Sequence, residues 1–287
     1  MDSCSPAPGA VVIEPQRGWV PIDLAELWRY RDLIGFLALR DVKVRYKQSL
    51  LGAAWAVLQP LATMVVFGVL FRALLGRGGM PTLEGVPYAV STYCALVPWQ
   101  LFARSVQASG DSLVANRQLI TKVYFPRLAL PIAPLLAAGV DFACAFAVLL
   151  GMMLAWGIVP SAAVLALPLF VLLALAAALA VSLWLSALGA LYRDVRHTLP
   201  FLVQLWMFVT PVVYTTDSVL ADAPVALHVL YGLNPMAGVV EAFRWALLGA
   251  ASPSWPLVCA SATVTGLLLV LGLRVFRRLE RSFADRV

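Results

Sequence analysis

Charge is what this sequence has least of. Only 13% of its 287 residues are Asp, Glu, Lys or Arg, whereas 62% are hydrophobic and the mean hydropathy is +0.87. A soluble domain carries about 25% charged residues, and half that amount cannot cover a water-facing surface of this size. The composition therefore argues against soluble globular, disordered and nucleic-acid-binding classes, despite a net charge of +6. Cysteine is also sparse. Cys4, Cys94, Cys144 and Cys259 form no CxxC or Cys/His cluster, so neither disulfides nor a metal site has support, and each reads as a small buried residue. Residues 1–20 contain Pro6, Pro8, Glu14, Pro15 and Arg17 but no apolar core of a secretory signal. No GxxxxGK[ST] phosphate loop occurs, so ATP binding by that route is not expected. No triad or paired-carboxylate arrangement can be assembled, and no catalytic residue is assigned.

Long apolar runs are what is present. A spanning helix needs about 20 mostly apolar residues. Five stretches meet that need: Ser49–Phe71, Tyr88–Gln107, Leu128–Trp156, Val164–Leu191 and Pro256–Phe276. A sixth, Leu199–Thr215, is shorter but almost wholly apolar. The fold class expected is an all-α integral membrane protein with six transmembrane helices. Pro60, Pro98 and Pro211 are expected to interrupt the first, second and fifth of them. Eighteen of the 21 Lys and Arg residues fall on one side of this six-span layout, leaving Arg72, Arg77 and Arg244 on the other. Basic residues gather on the cytoplasmic side, so both termini are expected there, with Arg104 snorkelling to the inner face.

The layout has four parts. Residues 1–22 read as a flexible segment, and 23–48 as a cytoplasmic interfacial amphipathic helix. Residues 49–276 form the transmembrane domain, and 277–287 a cytoplasmic tail. In the 23–48 segment, Asp23 and Glu26 are spaced like a capping box. Leu24, Leu27, Trp28, Ile34, Leu37 and Ala38 form an apolar stripe interrupted by Arg31, ahead of Arg40, Lys43, Arg45 and Lys47. A basic amphipathic helix of this kind lies on an anionic leaflet.

Two connections carry signals of their own. Asp111–Arg127, DSLVANRQLITKVYFPR, is longer than a turn needs. It reads as a short helix whose apolar patch either meets a partner or packs on its own bundle. The segment 216–255 is broken at Asn234-Pro235, with Asn234 as N-cap, Pro235 in the first turn and Gly249 as stop. It reads as two short re-entrant helices, the alternative being an external amphipathic hairpin. Glu241 and Arg244, at i and i+3, can pair. Leu191–Pro200 reads as a polar loop whose Arg193, Asp194 and Arg196 are solvated or locally paired. His197 and His228 sit on opposite faces and read as structural.

Inside the membrane, Asp141 is the notable charge. It serves either hydrogen bonds to neighbouring helices or an ion pathway. Aromatic residues are frequent: Trp55, Trp99, Phe102, Phe142, Trp206 and Tyr214 lie in or near spans. They could stack on sugar rings along a path, or simply pack.

Five blocks, in order, carry a resemblance. They are RDVKVRYKQSLLGAAWAVLQPL (Arg40–Leu61), LVPWQLF (Leu96–Phe102), LITKVYFPRLALP (Leu119–Pro131), LYRDVRH (Leu191–His197) and NPMAGVVEAFRWALLG (Asn234–Gly249). Together they resemble the membrane-spanning permease of type-2 ABC exporters for polysaccharides, which serve O-antigen, capsule or teichoic acid export. The resemblance implies a homodimer in the bacterial cytoplasmic (inner) membrane, bound to two copies of a separate cytoplasmic ATPase. That ATPase would hold the ATP and Mg, leaving this chain without a cofactor. It implies a lipid-linked glycan as cargo and membrane lipids as surroundings. It matches Asn116, Leu119, Ile120, Lys122, Val123, Tyr124 and Phe125 to a coupling helix that seats on the ATPase, and Asn234–Gly249 to a cap over the channel. Two other readings remain: an exporter of small lipophilic drugs or lipids with the same architecture, and a stand-alone proton-coupled transporter that would depend on Asp141.

Overall fold

The computed structural model describes residues 24–47, 52, 54–75, 85–160, 162–220, 223–250 and 252–286. The 1–22 segment, Asp23 of the capping box, Arg77 and Cys4 lie outside the described residues. Among those described, all regular structure is helical. The helices are α1 (Leu24–Arg29), α2 (Arg31–Lys47), α3 (Ala54–Leu75), α4 (Tyr88–Ala115), α5 (Arg117–Lys122), α6 (Ala129–Ala155), α7 (Leu167–Leu191), α8 (Arg193–Val209), α9 (Asp217–Leu220), α10 (Val225–Tyr231), α11 (Pro235–Leu248) and α12 (Trp255–Arg286).

Four of these are long and apolar enough to cross a membrane: α3, α6, α7 with the 3-10 turn before it, and α12. The bent pair α10–α11 would make a fifth if counted as one span. Two of the six expected spans miss this standard for different reasons. α4 has 28 residues, about 42 Å at 1.5 Å per residue, but Arg104, Gln107, Ser109, Asp111 and Ser112 make its second half polar. α8 has 17 residues and spends its first turns on Arg193, Asp194, Arg196 and His197.

α4 and α7 form the centre. α4 packs against α6, α7, α11, α3 and α8, and α7 against α12 and α11. Apolar attraction between helices is weak in lipid, so close backbone approach matters more. The sequence of α7 supplies it with a buried face of Ala174, Ala177, Ala178 and Ala180. Near its end, a Cβ on Gly189 would stand 2.8 Å from the Gly110 carbonyl oxygen of α4. Across the opposite face, the Trp184 indole N–H donates to the Leu268 carbonyl of α12 at 3.1 Å.

The structure changes several local expectations. The polar loop after Leu191 is absent: only Tyr192 separates α7 from α8, so Arg193, Asp194 and Arg196 sit in the first helical turn of α8. Pro211 does not interrupt a span. α8 stops at Val209 and Thr210 is already extended at φ −93° and ψ 141°, as a residue before proline prefers. The interior prolines are Pro60, Pro98, Pro134 and Pro200. The 23–48 helix is two helices meeting at Tyr30. Its apolar stripe is buried in α2 at Ile34, Leu37 and Ala38, with Leu27 of α1 packed at the edge of the same cluster, while Trp28 in α1 is exposed beneath the Arg31 guanidinium. Of the cysteines, Cys94 is buried, Cys144 half-buried and Cys259 exposed. α12 continues without a break past Phe276 to Arg286, so the tail is a prolongation of the last helix.

Gly189 tests the central contact. Gly189→Val forces side-chain atoms into the Gly110 carbonyl, and overpacking of this kind costs about 1–3 kcal/mol. The detergent-purified variant is expected to melt several degrees lower, whereas Gly151→Ala, which meets nothing within 4 Å, is not.

Candidate functional site

α5 is short because it begins one residue after α4 ends and is halted by extended Val123 at ψ 135°. Its apolar residues divide. Ile120 and Phe125 turn inward to a cluster with Leu37, Leu113, Leu128 and Phe276, and Leu119 packs at the edge. Val123 and Tyr124 face outward, Tyr124 with 77% of its surface exposed, beside exposed Arg117, Gln118, Thr121 and Lys122. The element therefore packs on its own bundle and still presents an apolar knob. Both ends are tied down. Arg40 of α2 donates to the Asn116 side-chain oxygen at 2.8 Å, and the Asn116 amide donates to Ser112 O. On the other side, the Arg127 N–H donates to the Glu280 carboxylate of α12 at 3.3 Å, and its guanidinium to the Glu280 backbone oxygen.

Asp141 lies on α6 with 4% of its side chain exposed. It accepts from Arg45 and from the Tyr46 hydroxyl of α2, and from Arg104 of α4 at 2.7 Å. Arg104 does not snorkel away. It turns to this carboxylate and to the Gln59 side-chain oxygen of α3 at 3.0 Å. Arg45 is thus no free surface cation either. α2 lies against the N-terminal half of α6, from the apolar cluster near Leu128–Ala133 up to Asp141. Arg45, Tyr46 and Arg104 were not singled out as a site in the sequence. The signal that finds them is the rule that a charge inside an apolar bundle needs a partner: Asp141 and Arg104 are set within apolar stretches, as is Arg274 near the end of the last one.

The segment after α8 forms a second polar centre. α10 and α11 meet at 108°. The Asn234 side chain accepts from the Met236 N–H at 3.1 Å, Pro235 fills the first turn, and Gly249 closes α11 at φ 64°. Arg244 does not pair with Glu241. Its guanidinium, 4% exposed, donates instead to four backbone oxygens: Pro211 at 2.6 Å, Val212 at 2.8 Å, Tyr214 at 3.0 Å and Ser91 at 3.4 Å. Glu241 accepts from the Ser254 N–H at 2.5 Å. The pairing fails because the carbonyls left over beyond the end of α8 stand closer to the planar fork, and only distant chain segments could bring them there.

The aromatics do not share one surface. Trp99 and Phe102 are buried in the core, with Phe102 edge-on to Trp206 at 5.2 Å. Phe142 stacks on Phe146. The Trp206 N–H donates to the Asn234 side chain, and the Tyr214 hydroxyl meets that of Tyr231 at 2.5 Å. Trp55 alone of the six is exposed.

Replacing Arg244 tests the backbone clamp. Arg244→Met strands four carbonyls in a buried site and is expected to lower stability by about 3 kcal/mol or more. Arg244→Lys is expected to recover little of this, because an ammonium cannot serve the spread of a guanidinium. Thermal unfolding of the detergent-purified variants measures both.

Comparison with known proteins matches this chain over nearly all of its length. Three curated relatives are each named O-antigen export system permease protein RfbA. One from Myxococcus xanthus is 29% identical over 262 residues, covering 91% of this chain and 98% of its own. Two from Klebsiella pneumoniae are 28% and 27% identical, each covering 88% of this chain and 94% of its own. The family model described as ABC-2 type transporter matches residues 32–248, a stretch that holds α5, the Asp141 cluster and the Arg244 clamp. The chain is a multi-pass membrane protein of the ABC-2 type transporter family.

Proposed function

We propose that this chain is the permease subunit of an ATP-driven exporter that moves a lipid-linked polysaccharide across the bacterial cytoplasmic membrane. The observation that carries the reading is the end-to-end similarity to three O-antigen export permeases. The sequence supports the division of labour: it has no phosphate loop, so ATP and Mg belong to two copies of a separate ATPase. A glycan path is too wide for six helices to enclose, so two copies of the chain form it between them.

In this reading α4 and α8 complete six spans. α4 is long enough to cross, and its polar half meets α6 through Ser109 and Pro131, and α7 and α8 where Gly110 meets Gly189 and Leu199; α8 crosses as a short span whose charged first turns remain at the inner surface. Both termini are then cytoplasmic, in keeping with the gathering of Lys and Arg on that side. α10 and α11 dip into the outer leaflet and cap the path with Asn234, Pro235, Glu241 and Arg244. Trp55, on the outside, and Trp206 and Tyr214, half-buried near the α8 end, are the aromatics available to touch cargo; Trp99 and Phe102 support Trp206 from within, and half-buried Phe142 packs on Phe146 and Phe243.

α5 and the Val123–Phe125 turn dock on the ATPase, with Tyr124 as the knob. ATP binding draws the ATPase pair together and shifts the two permease copies between closed and open states.

Deleting the gene is expected to abolish surface glycan on staining and to leave lipid-linked polymer inside the cell. Unchanged surface glycan with altered drug sensitivity would replace this reading with a drug or lipid exporter. For the docking surface, Tyr124→Glu is expected to cut export about tenfold or more, as loss of an interface anchor does, while the ATPase alone still hydrolyses ATP. Unchanged export and assembly would remove α5 as the docking element.

A further inference from the structure

Among the described residues, the Asp141 cluster has a charge imbalance that the bundle does not correct. Two guanidinium groups, Arg45 and Arg104, share one carboxylate. The acidic residues on the four helices that meet there are few. α2 has Asp32, placed beside Arg31, and Asp41, bonded to Arg40; α3 has none; α4 has Asp111; α6 has only Asp141. Asp111 lies seven residues beyond Arg104, about 10 Å along the helix, and is exposed. The connection 48–53 is uncharged. The cluster thus keeps a surplus positive charge beside apolar helices, where an unbalanced charge is expensive.

The surplus is reachable. Arg45 keeps 35% of its side chain exposed and Arg104 17%. Arg104 also bonds Gln59 in the first turns of α3. From there an apolar exposed strip runs along α3 through Leu58, Val65, Val66, Val69 and Leu70. Forked donors next to a greasy strip match an amphiphile with an anionic oxygen head and a hydrocarbon tail, because guanidinium binds phosphate through paired N–H groups.

We propose that Arg45 and Arg104, sharing the single carboxylate of Asp141, bind the phosphate head of a membrane lipid whose chain lies along α3. A lipid-linked cargo and an anionic phospholipid share this chemistry. The site itself follows from the charge imbalance; that its occupant is the cargo's lipid diphosphate rests on the function proposed above. Bound there, the head supplies the missing negative charge and holds the lipid at the junction of α2, α3, α4 and α6.

The test uses the full permease–ATPase complex in nanodiscs of zwitterionic phosphatidylcholine. Labelled polyprenyl diphosphate is the probe, with phosphatidylglycerol and inorganic pyrophosphate as competitors. Arg45→Gln and Arg104→Gln are each expected to weaken probe binding about tenfold, the worth of a charge-assisted hydrogen bond. Asp141→Asn removes the competing carboxylate and is expected to tighten binding. The opposite signs separate ligand binding from damage, since a merely structural cluster would lose binding in all three variants. Complex integrity is read by size exclusion, and Arg45→Gln, on the more exposed side chain, serves if either interior variant fails to assemble. Competition by phosphatidylglycerol equal to the probe supports a lipid-phosphate site while removing the cargo as its special occupant, whatever glycan staining reports. Unchanged affinity in both arginine variants, weaker binding in Asp141→Asn, or full displacement by inorganic pyrophosphate overturns the proposal.

Discussion

A backbone in hydrocarbon has no water to complete its hydrogen bonds, and among the described residues the breaks between α8, α10 and α11 are closed by side chains from elsewhere in the chain. Where α8 ends, Arg244 takes up carbonyls of Pro211, Val212 and Tyr214, and the Tyr231 hydroxyl takes Val209. Where α10 turns into α11, Ser261 of α12 accepts from the Gly238 N–H and lies against the Gly232 and Asn234 oxygens. Gly238 is the residue that lets this happen, because a Cβ there would stand 2.8 Å from that of Ser261. The end of the molecule that holds α10 and α11 is therefore irregular without being loose.

The same economy governs the other end. α5 could have been an independent surface turn. Instead Arg40–Asn116 fixes its start to α2, and Arg127–Glu280 fixes its exit to α12. Ile120 and Phe125 bury the inner side in the cluster that also holds Ile34 and Phe276. A force applied to the exposed Tyr124 is consequently delivered to α2 and α12, where a free loop would absorb it. In the proposed exporter, this rigidity is what makes docking useful.

Local chemistry was legible in the sequence, and long-range geometry was not. The spans α3, α6, α7 and α12 follow from apolar length alone, with boundaries near those expected except at the far end of α12, which runs on from Phe276 to Arg286. Asn234, Pro235 and Gly249 declare the ends of α11 because capping depends on neighbours within a few residues. By contrast, Arg45 and Asp141 are 96 residues apart, and nothing local marks them as partners. Glu241 and Arg244 looked like a pair because they are close on one helix, but the unsatisfied carbonyls beyond α8 were the stronger claim on the guanidinium. The aromatics left two readings open because residue type does not reveal helix rotation; Trp99 and Phe102 turn into the core.

One helix touches all three centres. Near its start, α4 offers the Ser91 oxygen to Arg244; in its second half it sends Arg104 to Asp141; and directly after its end Asn116 receives Arg40. It is also almost wholly buried over its first half. Along α4, a displacement at the α5 end reaches the Arg244 clamp if the helix moves as a body, and stops short of it if the helix bends at Pro98, where the ladder lacks one hydrogen bond. Either way the half that carries Arg104 moves, so the Arg104–Asp141 pair must move with it or part. The ionic cluster therefore resists displacement of α4 in both cases, and an anion arriving there acts on that resistance.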